Sequence, residues 1–111
     1  MNKKLCVSRR ITGLCGRLDY YLTESRYEDK TDGIRAVVFG VEINKILFDK
    51  DEIEQIKKSR VDDLSAERSR VVEFIYMLSE MEVMPESLED IVSDFVNDDF
   101  FINLNIRKKS A

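Results

Sequence analysis

The chain has 111 residues, 18 of them basic and 22 acidic, for a formal net charge of −4, with two cysteines and no histidine. That length is the usual size of one domain and is enough to bury a real core. A hydrophobic share of 43% beside 36% charged residues is globular rather than disordered, and no stretch approaches the ~20 consecutive apolar residues of a membrane span.

The charge is unevenly spread. Residues 1–17 carry five basic side chains (Lys3, Lys4, Arg9, Arg10 and Arg17) and no acid, and Arg107, Lys108 and Lys109 form a second basic cluster near the C-terminus. Residues 79–99 carry eight acids and no base. The N-terminus begins like a signal peptide at Lys3 and Lys4, but Arg9 and Arg10 interrupt any apolar run. A cytoplasmic chain with reduced Cys6 and Cys15 is therefore expected.

In chain order, Leu5 and Val7 alternate with Cys6 and Ser8 before Gly13 and Gly16 break the run, which reads as a short strand or an arm. Leu18, Tyr20 and Leu22 then alternate on one face. The polar run ending in Asp32-Gly33 supplies turn chemistry. The return strand sets Val37, Phe39, Val41 and Ile43 on one face, with Ala36, Val38, Gly40 and Glu42 on the other, and a mid-strand glycine marks a bulge or a close backbone approach. Ile46, Leu47 and Phe48 read as a further short strand and Asp49, Lys50 and Asp51 as a turn. Residues 52–64 fit neither a strand nor a helix period well.

Two helices follow. The first is expected from an N-cap at Ser65, with Glu67 in its first turn, to about Met81. Val71, Phe74, Ile75 and Leu78 form its apolar stripe. Val72, Tyr76 and Met77 widen that stripe, an apolar excess that suits a central helix or a dimer interface. The second starts at Pro85, suited to a first helical turn, and runs to about Asn97 with Leu88, Ile91, Val92 and Phe95 on its buried side. Phe100, Ile102, Leu104 and Ile106 alternate as a last strand, and residues 107–111 read as a disordered basic tail.

The pieces Tyr20-Tyr21-Leu22, Phe39-Gly40-Val41-Glu42-Ile43, Leu64-Ser65, Met84-Pro85 and Asp90-Ile91-Val92-Ser93-Asp94-Phe95, in that order and spacing, resemble a family of small uncharacterised clostridial proteins. The resemblance spans roughly residues 18–96. It departs from the family pattern at Met84, where a capping Ser is usual, and at Ser93, where Glu is usual. It implies the architecture and a Gram-positive anaerobe origin, and no activity.

Without histidine the commonest general base and metal ligand are missing. Cys6 lies near Arg9 and Arg10, yet an incidental thiol fits it better than a nucleophile. Asp90 and Asp94, one helical turn apart, are the best carboxylate pair, but they sit on the polar half of an amphipathic helix. Gly13 and Gly16 have the spacing of a backbone-clamping RNA loop without the surrounding helix signal. Tyr20, Tyr21 and Tyr27 suit core or cross-strand contacts better than base stacking. Neither catalysis nor a metal or other cofactor is expected.

The fold class expected is α+β, a single domain over residues 1–111. A small antiparallel sheet of three to five strands around a central hairpin packs against an antiparallel helix pair. The leading function is a non-catalytic protein-interaction or regulatory module, with a homodimer as one form and no membrane partner. Its candidate surface is the acidic helix face of Glu86, Glu89, Asp90 and Asp94. One alternative is a nucleic-acid-associated regulator using the basic arm of Lys3, Lys4, Arg9, Arg10 and Arg17. Another is a phage or mobile-element inhibitor that presents the acidic helix to a basic host protein.

Overall fold

Alternating apolar residues and turn signals organise the first two thirds of the chain into four strands, and apolar stripes at helical spacing organise the remaining third. The computed structural model describes residues 2–29, 31 and 33–97. Strands β1 (Asn2–Arg10), β2 (Gly16–Asp29), β3 (Ile34–Asp49) and β4 (Glu52–Ser65) precede helix α1 (Arg68–Glu80), a 3₁₀ turn (Pro85–Ser87) and helix α2 (Leu88–Asn97). The strands form one sheet in the order β1-β2-β3-β4, every pair antiparallel. The class is α+β.

The β2–β3 hairpin runs from Asp29 opposite Ile34 to Gly16 opposite Leu47 in unbroken register. Residues 46–48 are its continuation and not a separate strand. Lys50 and Asp51 both have positive φ between the paired Asp49 and Glu52, so the β3–β4 connection is a two-residue hairpin turn of the mirror-image kind without a glycine. The N-terminal segment is a paired strand from Asn2 onward, with a register shift around Cys6.

Residues 52–64, which fit neither period, form β4. Ile56 stands opposite Ile46 and Val61 opposite Val41. A register shift at Glu54 offsets Ile53 from Ile56 by three residues, and this hides the period of two. A second irregularity sets residues 62–64 against Gly40 alone. There a Cβ on Gly40 would lie 2.5 Å from Asp62 Cα and closer still to the Val61 and Asp62 carbonyl oxygens. The mid-strand glycine is what lets β4 cross so near.

Ser65 is not the helix cap. It ends β4, and its Oγ accepts a hydrogen bond from the Glu67 N–H at 3.0 Å, which turns the chain toward α1. Glu67 itself occupies the N-cap position without a side-chain bond. The strand expected over residues 100–106 and the tail at 107–111 lie outside the described residues.

One face of the sheet carries Leu18, Tyr20, Leu22, Phe39, Val41 and Ile43, all buried with Val71, Phe74, Ile75, Leu78, Leu88 and Val92 from the helices. Each such side chain contributes about 1.5–3 kcal/mol relative to exposure. Helix α1 touches all four strands, while α2 touches β4 and sets Phe95 against Phe74 with ring centroids 5.1 Å apart. Tyr20 donates to the Val83 carbonyl at 2.9 Å, which pins the segment after α1 to the middle of the sheet. Burial pushes its hydroxyl well above the usual tyrosine range.

The described molecule measures 55 × 29 × 19 Å. Its length comes from the central hairpin. β1 pairs with β2 only as far as Glu24, and β4 pairs with β3 only from Phe39, so the hairpin continues beyond them as a two-stranded ribbon.

Candidate interaction surfaces

The basic N-terminal residues lie on or beside the edge strand β1, and three of the five are engaged within the fold. Lys3 Nζ is 2.7 Å from Glu42 and 4.6 Å from the centroid of the Tyr21 ring. Arg9 donates to the Ser79 carbonyl, and Arg17 pairs with Asp19 at 3.2 Å while covering the Phe48 ring. The side chains of Lys4 and Arg10 have no hydrogen bond or ion pair with another described residue. Arg10 and Arg17 face one another across β1 and β2 and border a cleft of about 560 Å3 with Leu14, Cys15 and Phe48. Gly13 takes the positive φ of the turn, and Gly16 packs against the Ile46 carbonyl, so their spacing serves the hairpin. Cys6 is half-buried and Cys15 exposed, and both are free thiols.

The sheet face opposite the α1 core is polar but not fully open. Glu42, 4% exposed, lies between Lys3 and Arg60, the latter at 3.2 Å. Arg60 also reaches Asp62 at 2.6 Å. Asp19, equally buried, accepts from Ser8 at 2.6 Å and from Arg17. Long cationic stems thus roof two carboxylates and keep them paired. Beside them the Thr23 and Ser25 hydroxyls and Asn44 Oδ1 are buried without a hydrogen-bond partner among the described residues.

The acidic candidates sit at the start of the second helical segment. Glu86 belongs to the 3₁₀ turn, and its carboxylate is 2.7 Å from the ammonium of Lys45. Lys45 is 8% exposed, and its hydrogen bond holds the Glu86 carboxyl below the usual range. Glu89 and Asp90 occupy the first turn of α2, where the helix dipole favours them. Together with Glu86 they face Lys57 and Lys58 of β4 across a cleft of about 370 Å3. Asp94, a turn further on, is exposed. The acidic surface is therefore partly answered by lysines of the same molecule.

The outer edge of β4 is the longest exposed run on a strand. Residues 52–58 are all exposed, with Ile53 at 58% and Ile56 at 49%, and no described strand pairs on that side.

The sequence matches a family of unknown function over residues 2–98. The chain belongs to the DUF6514 family. No curated protein and no solved structure matches it. The DUF6514 match takes in every strand and helix described above. Among the described residues, no helix is long and apolar enough to cross a membrane, and no group of three Cys, Asp or Glu is placed to hold a metal ion.

In this DUF6514 chain the sequence reading missed the buried charges Asp19, Glu42 and Lys45 and the β4 edge. Alternation signals the face of the first two but not their burial, since Asp19, Tyr21 and Thr23 alternate with the core residues of β2, as Glu42 and Asn44 do on β3. Lys45 has no such signal, because it shares a face with Ile43 and Val41.

Proposed function

We propose that this DUF6514 chain is a non-catalytic protein-interaction module that takes up a partner segment along the outer edge of β4. The observation that carries this reading is the run of exposed residues 52–58, with two large apolar side chains, on a strand edge with which no described strand pairs. An unpaired edge gains main-chain hydrogen bonds from an added strand, and alternate side chains set the specificity. The reading includes a cytoplasmic, clostridial setting and a helix layer built as an antiparallel pair, the last supported by the Phe74–Phe95 contact.

A nucleic-acid role through the basic arm has less support, because Lys3, Arg9 and Arg17 already have partners in the fold. The acidic helix is the second reading. Glu89, Asp90 and Asp94 are exposed there, although the first two share their cleft with Lys57 and Lys58.

Capture from a clostridial lysate on immobilised protein separates the two readings, using Ile53→Lys/Ile56→Lys and Glu89→Lys/Asp90→Lys/Asp94→Lys variants matched for folding by circular dichroism. Proteins retained by the wild type are expected to be lost on the β4 variant and kept on the α2 variant. The reverse pattern would move docking to the acidic helix.

A further inference from the structure

We infer that the segment β4 takes up is β4 of a second copy of the same chain, paired antiparallel across a two-fold axis. This inference rests on the interaction reading above and gives that reading its partner.

The order of charges along the edge carries it. Glu52 and Glu54 come before Ile56, and Lys57, Lys58 and Arg60 come after it. An antiparallel copy runs backwards, so its basic half lies along the acidic half of the first. A two-fold axis normal to a sheet passes between one residue and its own copy, which leaves few symmetric registers. Centred on Ile56, Glu54 of each copy stands opposite Lys58 of the other and Glu52 opposite Arg60, and the two copies of Ile56 meet at the axis. Centred on Lys57, two lysines would oppose one another. Centred on Gln55, Glu52 would face Lys58 while Glu54 would face only Ile56. Opposite charges directly across a strand pair stabilise it, and like charges destabilise it.

The other sheet edge shows what a guarded strand looks like. β1 carries Lys3, Lys4, Arg9 and Arg10 with no acid. Self-pairing there would set cations against cations, a common protection against edge association. One edge of this sheet is closed to a second copy by charge, and the other is complementary to itself. Joined through β4, two copies make one eight-stranded sheet with both helix layers on the same side.

The full chain tests this by light scattering over a wide range of protein concentration. The wild type is expected to approach twice the 13.0 kDa of one chain as concentration rises. Glu52→Lys/Glu54→Lys makes the edge wholly basic, and Lys57→Glu/Lys58→Glu makes it acidic at every charged position but Arg60. Each variant alone is expected to stay monomeric, and an equal mixture of the two is expected to dimerise. A wild type that is monomeric throughout, a single variant that still dimerises, or a mixture of folded variants that stays monomeric would each overturn the inference.

Hydrogen exchange on the unmodified chain gives a readout that no substitution can spoil. Amides within residues 55–59 should gain protection with concentration while those of β1 do not. Protection gained at β1, or at neither edge, also overturns it. If the wild type is monomeric yet its captured proteins are lost on Ile53→Lys/Ile56→Lys, β4 keeps its docking role and only the second copy is removed as occupant.

Discussion

Lys45 and Glu86 lie 2.7 Å apart, and this contact ties the middle of the sheet to the start of the second helical segment. The lysine is the buried member and the glutamate the more exposed one. Their replacement should therefore be asymmetric. Glu86→Ala leaves an ammonium buried without its carboxylate and should cost about 1–2 kcal/mol. Lys45→Met removes the charge and keeps the volume, and should be nearly neutral. Urea unfolding of both variants checks this, and equal losses would contradict it.

Glu42 sits between two cations, and each should be replaceable while the other stays. Lys3→Ala and Arg60→Ala are expected to cost less than about 1 kcal/mol singly. Together they leave a buried carboxylate bare, at about 3 kcal/mol. A double-mutant cycle by denaturant unfolding measures the excess over the sum. Additive behaviour would mean that Glu42 is held by something other than this pair.

Gly40 faces the backbone of β4 with no room for a methyl group. Gly40→Ala should destabilise the chain by about 2–3 kcal/mol, because rigid main chain and not a flexible side chain must move. A thermal melt unchanged from the wild type would rule out so close a crossing.

Acid should loosen the molecule at two glutamates. The backbone N–H of Thr12 donates to Glu82 at 2.6 Å and its hydroxyl at 2.9 Å, and these bonds hold the Glu82 carboxyl below the usual range. The hydrogen bond from Lys45 does the same for Glu86. A carboxyl whose folded pKa is depressed contributes stability that is complete above its unfolded value, about 4.3 for glutamate, and is lost as pH falls toward the folded value. Melting temperature followed from about pH 6 to about pH 3 should drop less steeply in a Glu82→Gln/Glu86→Gln variant than in the wild type.

Local alternation made the central hairpin legible. Leu18, Tyr20 and Leu22 and then Phe39, Val41 and Ile43 share the core face as their spacing implies, and Val71, Phe74, Ile75 and Leu78 do so on α1, whereas Val37 lies beyond the core and is exposed. β4 was illegible because the shift at Glu54 breaks its period, and because its outer run is not buried enough to demand apolar alternation. The buried charges were illegible for another reason. Glu42 meets Lys3 and Arg60 only through the registers of three strands, across 39 and 18 positions in sequence. Nothing local distinguishes such a glutamate from a solvated one. Ser65 has the residue type of a cap, but the same hydroxyl serves a turn two residues earlier.

The central hairpin outruns both of its neighbours, and a hydrogen bond of 2.6 Å from Tyr27 to Asp63 links it back to β4. A two-stranded ribbon without a third strand or a helix is marginal in water. It therefore opens at a small fraction of the free energy needed to unfold the core. The molecule is a firm body with a limb that opens first, and a protease given native protein would nick that limb while leaving the Tyr20–Phe74 core whole.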